Sequence, residues 1–414
     1  MKTLRIGICL LVVFTVAANG AVEPWSEAIM EIAAAAMFLW WGYLVASHKN
    51  GVISFSPVIW PVLGIVFFGL LQYIAPLSVY PYLTKLEILR WTSYLLVIFL
   101  ASQAFQTPRH WGNFAWFLVW FGFVVAVFGI LQDLTYNGKL YWFRELSGVV
   151  PYGPYVNRNH FAGFMELVIP AGLATLAVRG VRRQQIPLIA FCTALSIGAL
   201  ILCASRAGVA AFACALLILL LLLVLRRGEK RHLFIFAVVL ILAGGLVAWM
   251  GADQVVRRFR EVKNPEFSES RRVAMMRGAL HIFRANPWTG TGLGTTVSVY
   301  PRFETLYDGK TVDHVHNDHL EILAETGMIG GACWLAFIGI LIRFGLKNLS
   351  SRNEPLVQAL QIGALVACAS LLIHGLVDFN LHIPSNALLF FLLAYFATSS
   401  PSIGTAGTAM RTAN

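Results

Sequence analysis

The chain has 414 residues, of which 58% are hydrophobic and only 12% charged, with 31 Lys and Arg against 20 Asp and Glu for a formal net charge of +11. So few charges cannot cover a soluble globule of this length, which makes the bilayer its solvent. The cysteines, Cys9, Cys192, Cys203, Cys214, Cys333 and Cys368, all lie in apolar runs without CxxC spacing; they read as small hydrophobes, not as disulfides or metal ligands.

A spanning helix needs roughly 20 mostly apolar residues. Twelve segments qualify in chain order: Leu4–Ala18, Ala28–Ala46, Val58–Ala75, Ile88–Phe105, Phe114–Leu131, Phe161–Val178, Ile186–Ala204, Ala207–Leu225, Leu233–Met250, Met328–Leu346, Leu356–Leu376 and Ala387–Ala397. The fold class expected is all-α, a polytopic membrane protein of about twelve helices. Lys2 and Arg5 ahead of a short apolar core also fit a cleaved signal peptide over Met1 to Gly20, with the remaining topology unchanged.

Short cytoplasmic loops collect Lys and Arg, and that rule places the N-terminus inside. The inner loops then carry Lys49, Arg109, Arg179, Arg182, Arg183, Arg226, Arg227, Lys230, Arg231, Lys347 and Arg352. Much of the basic excess is thus topology, with no need for a nucleic-acid partner. Two outer loops stand out by length, residues 132–160 and 251–327, and connections this long are usually functional or disordered. Without repeats or low-complexity stretches, residues 1–414 read as one membrane domain with an embellished outer loop that contains short helices.

At the outer mouth of the sixth segment, Asn157, Arg158, Asn159 and His160 offer groups for sugar or phosphate, and Tyr152 and Tyr155 for stacking on a sugar ring; interfacial anchoring explains the aromatics equally well. Arg206 follows in a very short outer turn. A cation so close to hydrocarbon needs an anion, either Glu166 or Asp378 or a lipid phosphate. Between Arg257 and Arg284 eight basic residues, Arg257, Arg258, Arg260, Lys263, Arg271, Arg272, Arg277 and Arg284, face three acids, Glu261, Glu266 and Glu269. Val273, Met276, Leu280 and Phe283 keep helical spacing there, flanked by Arg277, His281 and Arg284. The stretch reads as an interfacial helix on anionic lipid, or as a set of guanidinium forks that clamp a diphosphate. GTGLG at Gly290 to Gly294 has the wrong spacing for a dinucleotide fingerprint and reads as a turn.

The strongest signal is DHVHNDHLEILAETGMIGG, Asp313 to Gly331. Asp318 as N-cap and Glu321 as its reciprocal partner predict a helix from His319 to Thr326 that stops at Gly327, with His316 just ahead of it. An imidazole there, at the outer surface, suits a general base. The competing readings are plain surface histidines at His314, His316 and His319, or a metal site; the spacing places no fourth zinc ligand and the acids are accounted for as caps. Asp378, Asn380 and His382 in VDFNLHIP complete the polar residues of the outer face.

These stretches resemble the O-antigen ligase and polymerase superfamily of bacterial envelope glycan assembly. The match rests on His316-Asn317, nine residues, Gly327, two residues and Gly330, with SRAG at Ser205 to Gly208, the run from Ser270 to Gly294, and HGLVDFNLHIP. The resemblance implies a metal-independent inverting glycosyltransferase of the inner membrane, without a cofactor. It would move an undecaprenyl-diphosphate-linked glycan onto a lipid-core or glycan acceptor on the periplasmic side. It implies catalytic roles for His316, Arg206 and Arg272, the last by its place four residues before Met276, where the family usually has Trp. Arg271, Arg277, Asn157, Arg158, Asn159, His160 and Asn317 are the expected substrate-binding residues. Ligase and polymerase share these motifs. A transporter of lipid-linked sugars is the rival of another class, but it would place its charges near the bilayer midplane, whereas here they crowd one face.

Overall fold

A computed structural model describes residues 1–47, 53–145, 151–178, 181–225, 237–249, 265–307, 309, 311–349 and 354–401, with no side-chain description for 225 and 265–270. The basic positions Lys49, Arg179, Arg226, Arg227, Lys230, Arg231 and Arg352, and Arg257, Arg258, Arg260 and Lys263 of the large loop, lie outside the described residues.

The chain is an all-α polytopic membrane protein, and each of the twelve expected segments falls on a helix over its described residues, 237–249 in the case of Leu233–Met250. The described α-helices are α1 (Lys2–Ala17), α2 (Pro24–Ser47), α3 (Ile59–Ile74), α4 (Pro81–Ala104), α5 (Pro108–Leu134), α6 (Arg158–Ala177), α7 (Ile186–Leu202) and α8 (Arg206–Leu225). They continue with α9 (Ala237–Trp249), α10 (Pro265–Ala285), α11 (Thr296–Val299), α12 (Asp318–Leu349), α13 (Pro355–His374) and α14 (Pro384–Thr398). Seven are long and apolar enough to cross a membrane. Within the smaller loop Lys139–Leu140 and Arg144–Glu145 form a two-residue antiparallel ribbon, β1 and β2, the only strands among the described residues.

Helices α6, α13 and α14 form the interior, and α14 is buried along its whole length. Small residues bring their backbones together: a Cβ on Gly363 of α13 would lie 2.7 Å from the Ala171 Cα of α6. In lipid, where apolar burial gives no drive for association, such close packing is what holds helices together. Outward faces are apolar as well, with Leu39 71%, Phe67 67% and Leu217 67% exposed, as a lipid-facing surface requires.

The bundle has two polar ends. One joins Gln103 to Ser54, Ser56 to Thr398 and Asn348 to the Ala397 carbonyl. The other gathers the starts of α6, α8, α12 and α14. Helix α4 begins seven residues before its expected start, so Lys85 and Glu87 join Arg90 inside it. Among the described residues of the large loop, α10 has 21 residues and α11 four.

Helix α12 does not stop at Gly327 but bends there and continues, with φ 60° and ψ −159° at the glycine. The kink frees carbonyls, and the NPWTGTGLG loop satisfies them: Thr291 N–H donates to Ala324 O (3.3 Å) and Gly292 N–H to Glu325 O (2.9 Å). In return Met328 N–H donates to Pro287 O (2.8 Å). The Glu325 carboxylate accepts from Gly294 N–H, Thr296 N–H and the Thr296 hydroxyl at 2.8–3.0 Å. GTGLG is therefore a turn, as its sequence indicated, and it braces the bend.

Candidate active site

The site begins at the turn ahead of α12. Val312 and Val315 are buried and anchor the turn, while His316 takes φ 51°, a left-handed conformation that costs a non-glycine residue energy and survives only where its surroundings fix it. Asn317 does the fixing. Its Oδ1 accepts from Leu320 N–H (2.9 Å), its Nδ2 donates to Leu376 O (2.8 Å), and the next N–H, of Asp318, donates to Gly375 O (2.9 Å). With both ends of its amide engaged, Asn317 ties α12 to the α13–α14 connection.

So held, His316 directs Nδ1 at Asp378 Oδ1 (3.2 Å); its side chain is 23% exposed and that of Asp378 is fully buried. Asp378 also accepts from Asn159 Nδ2 (2.6 Å) and Phe379 N–H (2.9 Å), and His374 Nε2 lies 3.9 Å away. Burial alone would raise the Asp378 carboxyl. The hydrogen bond from His316 and the nearby imidazoles outweigh it and hold the group below the usual carboxylate range. The result is an ionised carboxylate behind a partly exposed imidazole that it engages through Nδ1, the arrangement of a general base and its orienting group.

The capping roles differ from the expected ones. Asn317, one residue earlier than Asp318, is the residue whose side chain caps α12. Asp318 instead accepts from Leu381 N–H and lies 2.9 Å from His382 Nδ1. Glu321 accepts from Val315 N–H (3.0 Å) and meets His314 Nδ1 at 2.7 Å. Glu321 is therefore not spent on a cap, which removes one sequence argument against a metal site. His314, Glu321 and His382 form a group whose ligand atoms lie within 4.8 Å of one another. Burial would depress His382, but the Glu321 and Asp318 carboxylates prevail and push it up to about 10, so a proton already supplies positive charge there. His319 is structural: its ring bridges Trp334 Nε1 (2.9 Å) and Leu372 O (2.9 Å).

The VNRNH cluster joins the site in part. Asn157 caps α6 by accepting from Asn159 N–H (2.9 Å), and the Asn159 side-chain amide donates to Asp378. The His160 ring lies 4.9 Å from Phe379, which also packs against the rings of His314 and His316. Arg158 is the first residue of α6, half-exposed at the same end. Tyr152 and Tyr155 are not stacking platforms: both are buried against Phe161, and the Tyr155 hydroxyl bonds Ser385 and Asn386.

Arg206 opens α8, exposed, where a Cβ on Gly208 would come within 2.5 Å of the Ala162 Cβ, so the first turns of α8 and α6 lie together. Of the two acids considered for it, Glu166 accepts from His374 and Ser370 and Asp378 from His316 and Asn159. Helix α10 carries the remaining arginines of the expected set. Met275, Ala279 and Ile282 pack α10 onto Val299, Tyr300 and Val315, next door to His316. Arg271 and Arg272 are half-exposed and Arg277 is exposed. The stripe read from sequence, Val273, Met276, Leu280 and Phe283, lies about a quarter turn round from this buried face and stays partly open, as an interfacial helix would.

A cavity of about 500 Å³, walled in part by Phe379, adjoins the site and is lined by Glu87, Arg90, Asn157, His160, His314 and His382. Arg90 pairs with Glu87 (2.6 Å) and with Glu27. Nothing in the sequence patterns above singled out Glu87 and Arg90, although three charges in six residues at the edge of an apolar segment carried a signal.

Two comparisons bear on identity. A family model described as O-antigen ligase matches residues 191–335, which include SRAG and the His-Asn motif. A curated O-antigen ligase of Pseudomonas aeruginosa is 24% identical over 303 residues, covering 72% of this chain and 66%, just under two thirds, of that protein. Both agree with the resemblance carried by the motifs.

Proposed function

We propose, taking the chain as a member of the O-antigen ligase superfamily, that it transfers a glycan from undecaprenyl diphosphate to a hydroxyl of a lipid-core acceptor at the periplasmic face of the inner membrane, with both termini in the cytoplasm. The observation that carries the reading is the His316–Asp378 pair at the polar end where α6, α8 and α12 begin. His316 Nε2 takes the proton of the acceptor hydroxyl as that oxygen attacks the anomeric carbon, and Asp378 stabilises the imidazolium that forms. The glycosyl–phosphate bond breaks in the same displacement, so configuration inverts, and the electron pair leaves on the lipid diphosphate.

That leaving group is where negative charge grows. Arg206 and the α10 arginines, Arg272 first among them with Arg271 and Arg277 beside it, meet it with planar forks preset for phosphate oxygens, usually the largest catalytic contribution in such a site. The charge is met by guanidinium groups, so the transfer is proposed to need no metal. Energy comes from the donor's own phosphoester bond. Residues 1–414 act as one membrane domain, with the outer loops 251–327 and 132–160 shaping the site. The ligase direction follows from the O-antigen ligase family model and the O-antigen ligase of Pseudomonas aeruginosa, which support it.

The test is a His316→Ala variant assayed for glycan transfer, with membrane insertion and donor levels confirmed. Transfer at the wild-type rate refutes the reading. In a deletion strain, unattached long chains fit a missing ligase, and accumulation of single repeat units would reassign the chain as a polymerase.

A further inference from the structure

The end of the bundle opposite the candidate site holds a second feature. Helix α1 begins with Lys2 and Arg5, then continues on the same side with Ile6, Cys9, Leu10 and Val13; α5 begins with Arg109, His110 and Asn113, then continues with Phe114 and Phe117. Each helix thus presents a cationic head followed by an apolar stripe, in the same order from the same end. Between them lies a cleft of about 530 Å³, and among the described residues that line it none is acidic.

We infer that this cleft binds one anionic phospholipid, its phosphate among Lys2, Arg5, Arg109 and His110 and an acyl chain along the apolar floor. The charges argue for an anion. Three cations converge on two helix N-termini, whose dipoles add positive potential, with no carboxylate among the described lining residues to balance them. Polar groups there wait for a partner. Arg5 spends one N–H on the Ala104 carbonyl (2.9 Å), which fixes its fork, and His110 Nδ1 is buried with no hydrogen-bond partner among the described residues.

The apolar floor argues for a lipid over a free phosphate. From Lys2 to Val13 the α1 face runs eleven residues at about 1.5 Å each, roughly 16 Å, close to half of a hydrocarbon core of about 30 Å. One acyl chain of one leaflet fits that depth. Ile6 and Leu10, 49% and 61% exposed, leave the cleft open to the bilayer for lateral entry. A zwitterionic headgroup would bring its ammonium into the same cationic cluster, so the anionic lipid is preferred. Because α1 runs from this cleft to Ala17, and Gly20 just beyond it packs on Tyr155 and Ile383 beside the candidate site, the two features lie at opposite ends of the bundle, and this lipid is not the glycan donor.

The test is native mass spectrometry of the purified full chain released from nanodiscs of phosphatidylglycerol or phosphatidylethanolamine. One phosphatidylglycerol should be retained by the wild type, and the Arg5→Gln/Arg109→Gln double variant should bind it roughly thirtyfold more weakly, from about 1 kcal/mol per surface cation. A Lys2→Gln/Arg109→Gln variant keeps the Arg5–Ala104 bond and so guards against misfolding; it should weaken binding by a similar factor. Lys347→Gln, an exposed cation of α12 outside the cleft, should change nothing. Equal retention of the two lipids, or full retention of phosphatidylglycerol by both folded double variants, overturns the inference.

Discussion

Replacing Asp378 by Asn tests the orienting carboxylate without changing its shape. The carboxylate lies 3.2 Å from His316 Nδ1, and at an effective dielectric of about 20 an imidazolium there gains roughly 5 kcal/mol from it. The His316 side chain is 23% exposed, and water screening removes about half, leaving about 2–3 kcal/mol, or about two powers of ten in rate. The fold should tolerate the change. Phe379 N–H keeps its acceptor in the new Oδ1, and the Asn159 amide can turn so that its oxygen accepts from the new NH₂. Initial rates of glycan transfer in proteoliposomes at saturating donor and acceptor, with melting temperatures measured alongside, give the comparison. An Asp378→Asn protein that melts like the wild type and transfers within threefold of its rate refutes the role assigned to this pair.

Stability should depend on pH through His382. Its folded-state value, pushed up to about 10, exceeds the unfolded value of about 6.5, so the stabilisation is complete below about 6.5 and is lost as pH rises through 10; thermal melts from pH 7 to 11 should fall more steeply for the wild type than for His382→Gln. Gly327→Ala puts a Cβ 2.5 Å from the Trp288 carbonyl at φ +60°, and should cost about 3 kcal/mol. Gly339→Ala, with nothing within 4 Å of its Cβ, serves as its control; equal melting temperatures for the two would refute the bracing role of the kink. Arg206→Lys keeps charge but loses the fork and should retain part of the transfer rate, while Arg206→Ala loses it; equal rates in all three proteins would remove Arg206 from the site.

Helix positions were legible because lipid leaves so few options: each spanning segment must satisfy its own backbone, and apolar length alone reveals it. The His-Asn motif and the turn at GTGLG were legible for a similar reason, since local chemistry fixes both. Cap assignments were not. Asp318 and Asn317 both make good N-caps, and the choice was settled by Leu376 O and Gly375 O, which hold Asn317 and the Asp318 N–H from the α13–α14 connection. Two apolar stripes share α10, and the sequence pattern brought out only the bulkier one, which stays partly open. The one made of Ala274, Met275, Ala279 and Ile282, smaller in bulk, is the one the protein covers.

Least legible was the His316–Asp378 pair, whose members stand 62 residues apart and meet only because two anchors set the path between them. One anchor is Asn317 on Leu376 O; the other is the Gly327 bend against Trp288 and Gly290, packed from below where Thr326 lies over Gly330. The nine residues from Asp318 to Thr326 form a rigid rod of about 14 Å between them, and this is the physical content of the motif's spacing. A single residue inserted into that rod would turn one end by about 100° relative to the other. Either Asn317 would then leave the α13–α14 connection, releasing the strained His316 from Asp378, or the carbonyls of Ala324 and Glu325 would turn away from the N–H groups of Thr291 and Gly292 that satisfy them. The fixed count between His-Asn and the first glycine is therefore a requirement of helical phase, and it is what aims an imidazole at a carboxylate that sequence proximity could never reveal.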